Sequence, residues 1–289
     1  TVTSITECQL LILEAYDLAD PKPTPTLRLY GWEPATLSLG RSQTEEGSHD
    51  ERVVSLEGIG VVRRPTGGGV VLHEHERTYA VIGALGIPPF SGGATATYRT
   101  IAEALKRGLM RLGVCVIPVE PTRGSSRDTA AACFERLGAW ELVANGRKLV
   151  GSAQARRRRA FLQHGSIPMR LDPSRLAAVL GSPVDALRFT DLERARGAAV
   201  DPALVDAACI GGFEETFEVR LVQQAPDTGA THRLEAPLLE GGHQVVQAPA
   251  RGWAVVCRGF PCRHGHHVEP GGGGQSAAGD PGALHPASH

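Results

Sequence analysis

Between Arg63 and Glu76 the chain runs RRPTGGGVVLHEHE, and the three glycines at 67–69 constrain the fold more than any other stretch. Glycine gives up the most backbone freedom on folding, so three in succession imply a sharp bend or a close approach to backbone. The flanks decide which architectures remain. GIGVVRR (58–64) precedes and GVVLH (69–73) follows, both strand-like, and RTYAVIGAL (77–85) comes next at hairpin distance. The glycines therefore join two strands. A phosphate-binding P-loop runs from strand into helix and carries Gly-Lys-Ser/Thr, which is absent here.

The same reading extends along the chain. TLRLYG (26–31) and TLSLG (36–40) are earlier strands. In TATYRTIAEALKRGLMRLG the period changes: Ile101, Leu105, Leu109 and Leu112 fall three or four apart, Thr95 or Thr97 can cap the start, and Gly113 can end the helix. VCVIPV (114–119) reads as a buried strand, and 121–129 as a loop. Asn145-Gly146, between WELVA and RKLVGSA, is a type I′ hairpin signal. A second turn at Arg156–Arg159 leads into AFLQHGSIPM, which completes a three-stranded meander. From 173 to 218 the pattern is helical, with Leu176, Val179 and Leu180 in one segment and Leu204, Ala208 and Phe213 in another.

Beyond 236 the chain is rich in glycine and proline without a period, so the organisation expected is a folded domain over 1–236 and a low-complexity, disordered tail over 237–289. A length of 289 residues allows a substantial core, and 42% apolar with 21% charged residues is ordinary globular usage. A net charge of −1 provides no bulk attraction to nucleic acid or membrane, and no apolar run approaches a spanning length. Six scattered cysteines in a chain of this size read as reduced thiols, and a cytoplasmic location is expected.

Several side chains are candidates for chemistry. Arg63, Arg64 and His73 surround the glycines, whose amides can line a ligand site or simply make a generous turn. In GRKLVGSAQ, strand alternation puts Lys148, Val150 and Ser152 on one face. Lys148 is then either a snorkelling edge residue or a placed cation. Gly151 and Ser152 pack poorly in a strand and hint at close approach of a ligand. Cys133 is either a small buried hydrophobe or a nucleophile whose thiolate needs a nearby cation. Cys115 and Cys209 read as structural. His164 is either a satisfied core histidine or a proton shuttle. Arg156–Arg159 is either a solvated turn or a contact for an acidic partner. CRGFPCRHGHH (257–267) has zinc-ligand residue types without a standard spacing.

RRPTGGGVVLH and GRKLVGSAQARRRRAFLQHGSI, in that order and separated by a helix, resemble the biotin/lipoate protein ligase and lipoyl (octanoyl) transferase superfamily. TLRLYGWEPATLSLGRSQ resembles its early strands, and the similarity covers about residues 10 to 220. The resemblance implies an α+β fold: a mixed, mainly antiparallel sheet flanked by helices, related to class II aminoacyl-tRNA synthetases. It also implies that Gly67, Gly68 and Gly69 line an acyl pocket and that Lys148 contacts the reacting carbonyl. ACFERLGAWELVANGRK places Cys133 fifteen residues ahead of Lys148, which resembles the LipM-type octanoyltransferase branch, where that cysteine takes the acyl chain.

The resemblance thus implies an acyltransferase of lipoate biosynthesis with Cys133 and Lys148 as catalytic residues. Arg63, Arg64, Gly67, Gly68, Gly69, His73, Gly151, Ser152 and His164 would bind substrate. The donor implied is octanoyl-acyl carrier protein, and the acceptor a lipoyl domain or the glycine-cleavage H protein. No metal or other cofactor is implied. The alternatives are an ATP-dependent lipoate ligase, a lipoyl amidotransferase, and a non-catalytic carrier-binding paralogue.

Overall fold

The structure is a computed structural model that describes residues 25–120, 138–223 and 253–256. Two sheets organise it. The strands are β1 (Thr26–Tyr30), β2 (Thr36–Leu39), β3 (Gly60–Arg63), β4 (Val71–His73), β5 (Glu76–Ala84), β6 (Ile117–Pro118), β7 (Leu142–Ala144), β8 (Arg147–Arg156), β9 (Ala160–Pro168), β10 (Leu221–Gln223) and β11 (Trp253–Val256). Eight of them form one sheet in the order β10-β11-β1-β5-β9-β8-β7-β6, and β3-β2-β4 form a smaller one. The pairs β1–β11, β10–β11 and β2–β3 are parallel and the other pairings antiparallel. The helices are α1 (Glu51–Leu56), α2 (Gly93–Arg111), α3 (Pro173–Leu180), α4 (Leu192–Arg196) and α5 (Pro202–Phe217). This is the α+β architecture that the sequence implies.

Period-two alternation divides the large sheet into a packing face and a site face. Leu27 and Leu29 of β1, Tyr79 and Val81 of β5, and Phe161 and Ile167 of β9 join the buried cores of α2 and α5. The intervening residues Glu76, Thr78, His164 and Ser166 turn to the other side. A second core holds the small sheet to α1 and α3 through Leu37, Leu39, Val54, Leu72, Leu176 and Val179. Helices α2 and α5 touch backbone to backbone, because a Cβ on Gly212 would lie 2.3 Å from the Ala104 carbonyl oxygen. Arg77 ties β5 to α5 by donating from both Nε and Nη2 to the Asp206 carboxylate, at 2.8 and 2.6 Å.

Several expectations need correction. Helix α2 is capped at Gly92 without a side-chain bond, and the Thr97 hydroxyl donates back to the Gly93 carbonyl. In 114–119 only Ile117–Pro118 pair as a strand; Val114 and Val116 point inward, leaving Cys115 exposed. Leu204 is exposed, although Ala208, about one turn further on, and Phe213 are buried. Trp253–Val256, expected in a disordered tail, pair in parallel with β1 as a strand of β-branched and aromatic residues. Cys209 is buried in the α5 core as expected, and burial pushes its thiol up to about 12.

Candidate active site

The two sheets face each other across a cavity of about 520 Å³, counting its open mouth. The small sheet contributes Ser38, Arg64, Val71 and His73, and the large sheet Thr78, Lys148, Gly151, Ser152, Ala153, His164, Gly165 and Ser166, with Trp32 alongside.

Lys148 reaches this cavity because β8 is irregular. Leu142 pairs with Val150 but Val143 pairs with Lys148, so three residues of β8 oppose two of β7. Such a bulge re-aims the side chains that follow. Leu149 and Val150 both enter the core, whereas Lys148 and Gly151 share the site face. Simple alternation groups Lys148 with Val150 and Ser152; the extra residue separates Lys148 from Val150, while Lys148 and Ser152 both border the cavity. Ser152 also bonds the Tyr79 hydroxyl at 2.7 Å. The start of β8 is further held by 188–190, through Lys148 N to Arg188 O at 2.9 Å and Thr190 N to Lys148 O at 2.8 Å.

The Lys148 side chain is 1% exposed, so it is a placed cation and not a snorkelling edge residue. Its Nζ lies 2.7 Å from Glu141 Oε1, and Glu141 is buried as well. The carboxylate also accepts from the amides of Gly138, at 2.5 Å, and Ser152, at 3.4 Å. A buried pair is tolerable only with such further hydrogen bonds. Gly151 supplies the room, since a Cβ there would meet Lys148 Cε at 3.1 Å. Glu141 lies in the quoted ACFERLGAWELVANGRK, but its pairing with Lys148 seven residues on depends on the β7–β8 hairpin and has no local sequence signal.

The glycines at 67–69 do make the sharp turn between β3 and β4. Gly68 has φ +104°, and the chain crosses Gly40 so closely that a Cβ there would lie 2.0 Å from the Gly68 carbonyl oxygen. Arg64, 4% exposed, braces the turn by donating to the carbonyls of Gly67 (3.0 Å), Gly69 (2.6 Å) and Ser38 (2.7 Å). Thr66 joins the turn to β9 through His164 Nε2, at 2.6 Å. Gly67, Gly68 and Gly69 are not among the residues that line the cavity. Arg63 points elsewhere: its guanidinium donates to the carbonyls of Gly40 and Gln43 at 2.9 and 2.6 Å, which makes it a brace for the 40–43 turn.

His73 sits in a directed chain of hydrogen bonds. Arg64 donates to Ser38 Oγ at 3.1 Å, so the Ser38 hydroxyl is free to donate to His73 Nε2 at 2.7 Å, and His73 Nδ1 then donates to Glu76 at 2.9 Å. Glu76 accepts as well from the hydroxyls of Thr78 and Ser166, and Trp32 Nε1 donates to Thr78 at 2.8 Å. Trp32 stacks on the His73 ring with centroids 4.2 Å apart. Ser38, Glu76 and Trp32 were not singled out from sequence, because their partners come from strands far apart in the chain.

His164 is lowered to about 3 by burial, helped by the charge of Arg64. The imidazole is therefore a neutral partner for Thr66 near neutrality. A prediction follows from the sign. The unfolded chain takes up this proton below about 6.5 while the folded chain refuses it, so stability falls with pH from there toward about 3. The expected slope from this group is up to about 1.4 kcal/mol per pH unit. Urea denaturation between about pH 7 and 5 should show that slope, and His164→Gln should remove it.

Cys133 and the candidate metal ligands at 257–267 lie outside the described residues. Among the described residues no three His, Cys, Asp or Glu side chains converge as metal ligands, and no helix is long and apolar enough to cross a membrane.

The sequence and the fold are similar to those of known proteins. The profile of the lipoyl protein ligase A/B catalytic domain matches residues 11–214. The chain belongs to that family. Relatives include an octanoyltransferase LipM of Kyrpidia tusciae, 43% identical over 68% of this chain and 77% of that protein. Another, from Moorella thermoacetica, is 37% identical over 74% of this chain and 82% of that protein. Among solved structures, lipoate-protein ligase A bound with ATP superposes with TM-score 0.60 and 26% identity, over 73% of this chain and 80% of that one. A putative lipoate protein ligase from T. acidophilum with bound lipoic acid gives TM-score 0.57 at 27% identity, over 72% and 79%. Lipoyl protein ligase A/B membership accounts for the mixed sheet.

Proposed function

We propose that this chain is an octanoyltransferase that works through an acyl-cysteine. The observation that carries the reading is a buried ammonium, Lys148, held at 2.7 Å by Glu141 on the wall of a cavity whose other walls are largely apolar or hydrogen-bonded internally. Such an ammonium is suited to an oxyanion. Likeness to proteins named octanoyltransferase LipM supports the acyl group and the reaction class.

In this scheme the Cys133 thiolate attacks the octanoyl thioester carbonyl of acyl carrier protein. A carbon–sulfur bond forms, Lys148 stabilises the tetrahedral oxyanion, and the carrier thiolate leaves and is protonated. The ε-amine of a lysine on a lipoyl domain or the glycine-cleavage H protein then attacks the acyl-cysteine. The amide forms, the Cys133–carbon bond breaks, and the amine loses its proton. Two easier steps replace one difficult one. The thioester is already activated, so no nucleotide is consumed. The walls that Arg64, His73, Gly151, Ser152 and His164 build would seat the acyl chain and exclude water.

Likeness to a ligase bound with ATP favours a second reading, in which free octanoate is adenylated. One experiment separates the two. The full chain is incubated with octanoyl-acyl carrier protein without ATP, and its intact mass and peptides are measured. An octanoyl adduct on the peptide holding Cys133 is expected, and it should discharge onto a lipoyl domain. Acylation of the acceptor only with ATP and free octanoate, without an adduct, would establish the ligase.

A further inference from the structure

The arginine run at 156–159 forms the tip of the β8–β9 hairpin, and all four residues are exposed. Among the described residues no carboxylate lies within ion-pair distance of Arg156, Arg157 or Arg158. The neighbouring loop, residues 85–92, has no charged side chain and meets the tip through Leu85 N to Arg159 O at 2.7 Å. Like charges crowded on an ordered turn repel one another and favour an anionic partner.

The two strands that end in this tip also line the cavity. The last pair of residues lining it is Ala153 and His164, and the last pair before the tip is Arg156 and Phe161. Three residues of extended strand separate them by about 10 Å. That gap distinguishes between the two protein substrates. An acceptor lysine has a stem of four methylenes and must dock at the mouth itself to deliver its amine. A donor that offers its thioester at the end of a long flexible arm can dock at a distance and still reach Lys148.

Resting on the octanoyltransferase reading, we propose that Arg156–Arg158 form the docking surface for the acyl donor, an acidic carrier domain with its acyl group on a long arm, and not for the lysine acceptor. Steering by this tip acts on encounter and apparent affinity and leaves the chemistry at Lys148 unchanged.

The test uses the full chain and two thioesters, octanoyl-acyl carrier protein and octanoyl-coenzyme A. In R156E/R157E/R158E the KM for the carrier-bound substrate should rise by about tenfold or more, and R156Q/R157Q/R158Q should fall between it and the parent. Acylation by octanoyl-coenzyme A, and discharge of pre-acylated enzyme onto a lipoyl domain, should be unchanged. Added salt should raise the parent's KM for the carrier and leave that of the glutamate variant nearly flat. An unaltered KM for the carrier overturns the proposal. So does an equal loss with octanoyl-coenzyme A, or a loss confined to discharge. Calorimetric titration with holo-carrier protein keeps the two readings apart. Salt-sensitive, arginine-dependent binding without any transfer removes the transferase reading and keeps the docking surface, whereas no binding by the parent removes the surface.

Discussion

Lys148→Met should lower octanoyl transfer by about 10²–10³-fold, the loss seen when one oxyanion donor is removed, and Cys133→Ala should erase the adduct altogether. The lysine substitution carries a second cost. It leaves the Glu141 carboxylate buried without its 2.7 Å partner, and breaking a buried pair from one side costs about 3–5 kcal/mol. Glu141→Leu should also destabilise, by removing the carboxylate that pairs the buried ammonium at 2.7 Å. Replacing both at once, as Glu141→Leu with Lys148→Met, should cost much less than the sum, because neither charge is then left alone. Denaturant midpoints measure the stability effects, and single-turnover acylation measures the chemistry. A double variant as unstable as the added singles would mean that the two charges act independently.

Gly165→Val should produce a large loss of stability. A Cβ at Gly165 would lie 2.2 Å from the Gly151 carbonyl oxygen and 2.6 Å from Tyr79 Cε1. The nearest atom is backbone and cannot swing aside. The missing side chain is what lets Tyr79 lie across β9 and bond Ser152 on β8 at 2.7 Å. Overpacking of this kind costs about 3 kcal/mol. Gly67→Ala is the control, since an added Cβ there meets nothing within 4 Å, and its effect should stay within about 0.5 kcal/mol. Parallel urea titrations check both, and equal midpoints would show that the sheet adjusts at Gly165.

Alternation and turn chemistry made most of the architecture legible. Asn145 and Gly146 have the positive φ values, 50° and 74°, that a type I′ turn demands, and Val70–Leu72 leave the glycine turn as an extended segment. These are local signals, carried by neighbours in sequence. The site was legible only in part. Lys148, His73 and His164 stood out as residue types, but the bulge that turns Lys148 away from Val150 depends on pairing with β7, which no window on β8 contains. Glu76 gathers bonds from residues up to 90 positions away, and Ser38 meets His73 across 35. Arg63 and Arg64 look equivalent in sequence. Their opposite environments come from adjacent strand positions, one facing the 40–43 turn and the other buried under the glycines.

The extra residue in β8 has a consequence for how this enzyme can vary. Between the Asn145-Gly146 turn and Gly151, exchange of one apolar residue for another of like bulk alters packing alone. Inserting one residue between Leu142 and Val143 would give Leu149 a partner and restore strict one-for-one pairing, and the ammonium would face the helices while the Leu149 side chain took its place on the cavity wall. Which side chain this hairpin presents to the cavity is therefore a matter of residue count before it is a matter of residue identity.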